Sequence, residues 1–148
     1  IINVPVPGPF RESIKSGEQN LITRAKELVG DRDPRHHEFI VQLRAFDTAK
    51  SGAHLGLPAL LAFCSALLNK NLKGGLITVG GLNLGGGLDP VYNAVNVAEI
   101  AIEKGATTLL IPISARRQLN ELSDEMAMKI SILFYADARE ALFKALDD

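Results

Sequence analysis

The glycine-rich stretch at residues 74–87, GGLITVGGLNLGGG, decides the fold prediction for this 148-residue chain. Its middle, residues 76–79, is apolar and largely β-branched, which predicts a strand. The three glycines Gly85, Gly86 and Gly87 then predict a tight hairpin or a bulge, because glycine adopts backbone conformations that other residues avoid. A hairpin here favours a mixed sheet with helices packed on it over a doubly wound parallel sheet.

Downstream of this stretch, hydrophobic periodicity predicts helices that alternate with short strands. The helices carry an apolar stripe, and Gly105 and Ser114 supply a C-terminal stop and an N-cap. In chain order, the predicted elements are a helix over residues 93–104, a strand over 107–111 closed by Pro112, a short helix over 114–119, a strand over 129–135 and a helix over 137–146.

Upstream, the first ten residues, IINVPVPGPF, contain three prolines that lack backbone donors. They therefore predict at most a short edge strand followed by a turn over residues 1–12. Residues 13–29 have near-helical apolar spacing and end at Gly30, which predicts a helix with one buried face. Residues 38–46, EFIVQLRAF, predict a central strand.

Residues 51–69 contain no Asp, Glu, Lys or Arg, so a membrane span has to be weighed. Their length lies at the lower edge of the about 17 to 25 residues that a span needs. Gly52, His54, Gly56 and Pro58 also crowd the first half of the segment. We therefore predict a buried core helix, with Pro58 in its first turn or at a kink.

The composition indicates one globular domain, because 47% of the residues are hydrophobic and 22% are charged, which excludes a mainly disordered chain. Sixteen Lys and Arg residues balance seventeen Asp and Glu residues. The formal net charge of −1 excludes a global field that would drive binding to nucleic acid or an anionic membrane. Contact with DNA would have to be local, through Arg35, Arg116, Arg117 or Lys73.

The single cysteine, Cys64, cannot form an intrachain disulfide, which fits a reducing cytoplasm. The chain begins with Ile1 rather than Met, and its first residues lack the basic start and the cleavage site of a signal peptide. We interpret residues 1–148 as a single domain cut from a longer cytoplasmic protein.

The sequence offers no cofactor or metal motif. The glycines at residues 80–87 belong neither to a phosphate-binding loop nor to a dinucleotide fingerprint. His36 and His37 are adjacent in a polar loop, so their side chains diverge and we expect them to be solvated. Cys64 is expected to be buried and inert. We therefore predict no metal and no cofactor in this domain.

Three segments together resemble the proteolytic domain of Lon proteases. They are KSGAHLG from Lys50, VGGLNLGGGLDPVYNAV over residues 79–95, and KGATTLLIP over residues 104–112. The similarity extends from about Phe39 to Leu146 with nearly unbroken spacing. It implies an α+β fold with mixed α and β elements, of the ribosomal protein S5 domain 2-like, Lon proteolytic type.

The departures from that family concern its catalytic dyad. The family serine lies in a D-G-P-S-A-G motif, and in this frame the chain has His54 at the serine position. The family lysine follows P-I-G-G-L, and in this frame the chain has Val95. Valine cannot accept a proton, so we predict no catalytic residue. Ser51 and Lys50 are the substitutes left open, although adjacent residues do not share a face.

A Lon-like domain that lacks both the serine and the lysine of the dyad resembles the C-terminal domain of the Lon-related proteins of bacterial BREX phage-defence systems. That resemblance implies an upstream AAA+ ATPase domain with ATP and Mg²⁺, self-association into a ring, contact with DNA through the parent protein, and no membrane. We therefore expect a non-catalytic assembly or interaction module of a cytoplasmic AAA+ ATPase. The alternatives are an ATP-dependent Lon-type serine peptidase with an altered or relocated dyad, and a DNA-contacting module.

Overall fold

The computed structural model of the chain describes residues 8–40, 56–83 and 87–147. Helices precede the first strand and alternate with strands after it, and this mixture confirms the predicted α+β class, while the ribosomal protein S5 domain 2-like arrangement stays a prediction. The helices are α1 (Gly8–Thr23), α2 (Ala25–Val29), α3 (Gly56–Leu68), α4 (Ala94–Glu103), α5 (Arg116–Leu119), α6 (Asp124–Ala127) and α7 (Ala138–Ala145). The strands are β1 (Leu76–Thr78), β2 (Thr108–Pro112) and β3 (Ser131–Tyr135).

The three strands form a parallel sheet in the order β1-β2-β3, and Thr108 lies opposite both Leu76 and Ser131. Parallel neighbours need crossover connections. Here α4 connects β1 to β2, and α5 and α6 connect β2 to β3. The predicted mixed sheet is therefore wrong for the described strands, because the antiparallel pairing of Leu82 with Leu88 after β1 lies outside the sheet. Antiparallel pairing within the described ranges consists of two isolated bridges, Leu72–Leu146 and Leu82–Leu88.

Alternate residues of the strands face two different hydrophobic cores. On one face of the sheet, Leu110 and Tyr135 pack with α1, α3 and α7. On the other face, Leu109 and Ile111 pack with α4 and α5. The sheet is the middle of three layers, which explains why four successive residues of β2 are buried.

Helix α3 confirms the predicted buried apolar helix, and Pro58 is its third residue, within the first turn. It packs closely on α1, because a Cβ at Gly17 would already lie 3.0 Å from the Gly56 carbonyl oxygen. Cys64 is fully buried within α3, as expected. Among the residues that the structure describes, no helix is long and apolar enough to cross a membrane.

The first helix begins earlier than predicted. Helix α1 starts at Gly8, so residues 8–12 are helical and the expected strand and turn are wrong for them. Pro9 tolerates this start because the first turn of a helix does not use its backbone donors internally. Residues 1–7 lie outside the described ranges.

The helix predicted over residues 13–29 is divided in two at Arg24, where α1 ends and α2 begins. Gly30 ends α2 as predicted and has a φ of +65°, which favours glycine. Of the strand predicted over residues 38–46, residues 38–40 form no strand, and the remainder lies outside the described residues.

In the C-terminal half, the helix predicted over residues 114–119 begins differently. Ser114 does not cap it, because Ser114 lies inside a 3-10 turn, Ile113–Ala115, and α5 begins only at Arg116. Helix α6 was not predicted, although Ser123 caps it by accepting a hydrogen bond from the Met126 amide at 3.3 Å. The other predicted elements downstream of residue 74 are confirmed, with ends shifted by at most two residues.

Candidate functional site

A groove of about 280 Å³ lies at the carboxyl end of β1, between that end and the start of α4. Open α/β sheets usually bind their ligands at the carboxyl ends of the strands. We call this feature the β1 groove. Its lining residues are Val79, Gly80, Gly81, Pro90, Val91, Tyr92, Asn93 and Val97.

Tyr135 holds the backbone of the β1 groove in place. Its side chain is fully buried at the end of β3, and its hydroxyl donates a 2.6 Å hydrogen bond to the Val79 carbonyl oxygen. Burial raises the pKa of this hydroxyl, so it stays protonated and acts as a donor. Gly80 has to be glycine, because a Cβ there would collide with the Tyr135 hydroxyl.

The start of α3 packs against the same backbone. The Leu57 amide donates a hydrogen bond to the Gly80 carbonyl oxygen at 3.3 Å. A Cβ at Gly56 would lie 3.3 Å from the Leu82 amide nitrogen, so the helix and the groove backbone are nearly in contact. Helix α3 therefore begins beside the β1 groove.

The chain turns back on itself after β1, at the two described ends of the glycine-rich segment. Leu82 forms an antiparallel bridge with Leu88, and the Asn83 amide donates to the Gly87 carbonyl oxygen at 3.0 Å. This pairing agrees with the predicted hairpin. Residues 84–86, which include two of its three glycines, lie outside the described residues.

Asn20 is a buried polar residue that connects this turn to α1. Its side chain is only 1% exposed, and Nδ2 donates to the carbonyl oxygens of Ser16 at 2.8 Å and Asn83 at 3.1 Å. Because buried polar groups need such partners, the role of Asn20 is structural. The sequence analysis missed it, since Asn83 is 63 residues away along the chain.

Gln118 clamps the other wall of the β1 groove. Its Oε1 accepts a hydrogen bond from the Ala94 amide at 2.9 Å, and its Nε2 donates to the Val91 carbonyl oxygen at 2.8 Å. Asn93, at the start of α4, has a φ of +58° and its side chain does not cap the helix. Gln118 therefore supplies the acceptor that the first amide of the helix needs. The sequence analysis missed Gln118 because its partners are 24 and 27 residues away.

Of the two positions that correspond to the Lon dyad, the structure describes only the lysine position. Val95, at the lysine position, is the second residue of α4 and is partly buried against the core that α4 shares with β2. It is not among the residues that line the β1 groove. His54, Ser51 and Lys50 lie outside the described residues, so their roles stay predictions.

The described walls of the β1 groove are chemically unreactive. Tyr92 and Asn93 are the polar side chains among its lining residues, which include no Ser, Thr, Cys, His, Lys, Asp or Glu. Four of its backbone carbonyl oxygens also accept hydrogen bonds from within the chain. Val79 accepts from Tyr135, Gly80 from Leu57, Gly81 from Asp89 and Val91 from Gln118. The groove therefore offers mainly apolar contact.

The remaining candidate reactive groups do not gather at this groove. Burial raises the pKa of the Cys64 thiol to about 12, so it is unreactive in the folded chain. The His36 side chain is 79% exposed, with Nε2 3.7 Å from an Asp33 carboxylate oxygen, in agreement with a solvated loop. In the part of the chain that the structure describes, no three His, Cys, Asp or Glu residues are placed to hold a metal ion.

The four cations considered for DNA contact are dispersed. Lys73 precedes β1, whereas Arg116 and Arg117 follow β2, so they lie at opposite ends of the parallel sheet. Arg35 pairs with Asp33 at 3.2 Å, and the Arg116 guanidinium lies 5.9 Å from the centre of a phenylalanine ring. The described residues do not unite these four side chains in one basic patch.

Comparison with known proteins gives one family and several relatives. The family model described as subunit ChlI of Mg-chelatase matches residues 8–115. The Lon-like protease BrxL of Escherichia coli O9:H4 (strain HS) is 32% identical over 130 residues, which is 88% of this chain and 18% of that protein. The Lon-like protease BrxL of Bacillus cereus (strain H3081.97) is 25% identical over 136 residues, which is 92% of this chain and 20% of that protein.

A Lon protease of Syntrophus aciditrophicus (strain SB) is 30% identical over 97 residues, which is 66% of this chain and 12% of that protein. The chain thus spans at most a fifth of the length of these relatives. The similarity supports the resemblance to Lon proteases that the sequence segments indicate.

Proposed function

The chain belongs to the family described as subunit ChlI of Mg-chelatase and is related to the Lon-like protease BrxL, and from this premise we propose that it is a non-catalytic Lon-like domain serving assembly or interaction. In this proposal the parent protein is a cytoplasmic AAA+ ATPase of a phage-defence system. It binds ATP and Mg²⁺ upstream of this domain, associates into a ring and contacts DNA.

The packing of Val95 is the observation that carries the proposal. A serine–lysine dyad needs a lysine amine near the serine hydroxyl, with a pKa lowered enough to accept its proton. Val95 occupies that position and packs its side chain onto an apolar core instead. In this proposal, packing takes the place of the lysine function at this position.

The unreactive lining of the β1 groove supports the same proposal. A relocated base would have to lie within hydrogen-bonding reach of its nucleophile, at about 2.6 to 3.2 Å. The described lining side chains end in methyl groups, a phenol and an amide, and the Tyr135 hydroxyl is committed to the Val79 carbonyl oxygen. A groove of this composition is suited to binding rather than to proton transfer.

The alternative is an ATP-dependent Lon-type serine peptidase with an altered or relocated dyad. The relatives named Lon-like protease and Lon protease favour it, and α3 begins beside the β1 groove just after the segment that contains Lys50, Ser51 and His54. In this alternative, Ser51 is the nucleophile and Lys50 or His54 activates it.

Hydrolysis of fluorescently labelled casein by the full-length parent protein, with ATP and Mg²⁺, separates the two functions. The wild type is expected to release no fluorescence. The variants are Ser51→Ala, the double restoration His54→Ser with Val95→Lys, and Ser114→Ala as an exposed serine control. Cleavage by the wild type that is lost in Ser51→Ala and kept in Ser114→Ala would overturn the non-catalytic proposal and establish a relocated dyad.

A further inference from the structure

An aromatic side chain with a neighbouring cation projects from the outer face of α7. Phe143 is 65% exposed, and the Arg139 guanidinium lies 5.5 Å from the centre of its ring. The opposite face of α7 is buried in the core through small and aliphatic residues. We call Arg139 and Phe143 together the α7 knob.

The β1 groove has the size and chemistry that such a knob requires. Its volume of about 280 Å³ accommodates one large side chain, and its walls are mainly apolar. The carboxylate of Asp89 lies against Gly81 at this groove, since a Cβ on Gly81 would be 2.7 Å from Asp89 Oδ2. Within the described residues, Asp89 is exposed and has no ion-pair partner.

The knob and the groove lie on opposite faces of the sheet, so one copy cannot satisfy both. Helix α7 packs into the core that contains α1 and α3. The groove residues Val79, Val91 and Val97 pack onto the other core, with α4 and α5. A contact between knob and groove therefore joins two copies, and where each copy uses its knob on one neighbour and its groove on another, the contact is head to tail and produces a ring when its rotation closes.

We propose that the α7 knob of one copy docks into the β1 groove of the next copy. Phe143 enters the apolar groove beside Tyr92, and Arg139 faces Asp89 at its edge. Aromatic and arginine side chains are those that most often dominate protein interfaces, which suits both halves of this contact. This inference rests on the proposed assembly function and names the surfaces that serve it.

A charge exchange between copies tests the contact. The wild-type chain is expected to self-associate with rising concentration in size-exclusion chromatography with light scattering. Asp89→Arg and Arg139→Glu each place like charges at the contact, so each variant alone is expected to associate at least about tenfold more weakly. A mixture of the two variants retains one wild-type contact, between the intact knob of the Asp89→Arg copy and the intact groove of the Arg139→Glu copy, and is therefore expected to yield a 1:1 dimer.

Three further variants make the outcome decisive. Phe143→Ala added to the Asp89→Arg copy removes the aromatic side chain of the intact knob and is expected to weaken the 1:1 dimer at least about tenfold, while Met128→Ala, at a side chain 88% exposed, is expected to leave it intact. Tyr92→Ala added to the Arg139→Glu copy removes the aromatic wall of the intact groove and is also expected to weaken the dimer. Circular dichroism melting confirms that each variant is folded.

A monomeric wild type, or a mixture that forms no 1:1 dimer, overturns the contact. Neither result involves casein hydrolysis, so the contact and the non-catalytic proposal fail separately.

Discussion

The two walls of the β1 groove are held in different ways. The wall at residues 79–81 is fixed by lack of space, because Gly80 has no room for a side chain beside Tyr135. The wall at the start of α4 is fixed by two hydrogen bonds from Gln118, and Val95 next to it packs on a core. The first wall should tolerate no change, whereas the second should keep its shape when Val95 beside it is substituted, because the Gln118 clamp holds it.

Gly80→Ala is the largest expected disturbance of the first wall. The new Cβ would collide with the buried Tyr135 hydroxyl, so the strand end or the tyrosine has to move and their hydrogen bond is lost. We expect the free energy of unfolding to fall by about 3 kcal/mol. Urea denaturation followed by far-UV circular dichroism measures the change.

Gly74→Ala is the matched control for that variant. A Cβ at Gly74 meets no atom within 4 Å, so this change should alter the free energy of unfolding by less than about 0.5 kcal/mol. Equal stabilities for the two alanine variants would show that the groove backbone yields, and that lack of space does not fix the first wall.

Tyr135→Phe should cost somewhat less, because it removes the hydroxyl and leaves the shape of the ring. The Val79 carbonyl oxygen then loses its 2.6 Å partner in a partly buried place. We expect a loss of about 2 kcal/mol in the free energy of unfolding. The same change should also make room at Gly80, so Gly80→Ala combined with Tyr135→Phe should cost less than the sum of the single losses. Strictly additive losses in this cycle would mean that Gly80 and Tyr135 do not interact.

Gln118→Ala tests the second wall and should cost about 1.5 kcal/mol, because two neutral hydrogen bonds are lost at a partly exposed place. Gln118→Glu keeps an acceptor for the Ala94 amide and loses the donor to the Val91 carbonyl oxygen, so its loss should be intermediate. Thermal melts of the three proteins give this order. Wild-type stability in both variants would mean that the clamp does not hold the second wall.

Local patterns were sufficient to predict most elements around this groove. A long uncharged apolar run predicted α3, apolar spacing with a glycine stop predicted α4, and short apolar runs predicted β2 and β3. The direction of the sheet was not predictable in the same way. The glycine-rich segment does turn back through the Leu82–Leu88 bridge, but the strands themselves pair through crossovers, and that choice depends on packing between distant segments.

Neither the lining of the β1 groove nor its supports were predictable from local patterns. The resemblance to Lon proteases drew attention to Val95 by spacing, but Val95 does not line the groove. The clamp by Gln118 and the bond from Tyr135 to Val79 join residues 24 to 56 positions apart, so no local signal marks them. Gly80 is a partial local sign of this contact, because a side chain at residue 80 would collide with Tyr135 from the distant strand β3.

Val95→Lys is the smallest expected effect and the sharpest test of the difference between the walls. Val95 is only partly buried, and a lysine can keep its aliphatic stem on the core while its amine reaches water. We expect a loss of about 0.5 kcal/mol in urea denaturation. Asn96→Lys, at the exposed neighbouring position, supplies the control for adding a cation to this turn and should be nearly neutral.

The size of the Val95→Lys effect shows whether the start of α4, beside the second wall, accommodates a lysine. A small loss means that α4 accommodates a lysine at this position without remodelling the groove. The double variant His54→Ser with Val95→Lys is then a fair test of restored hydrolysis. A loss as large as that of Gly80→Ala would mean instead that the core has closed around Val95. In that event both walls are fixed by packing, and the difference between them disappears.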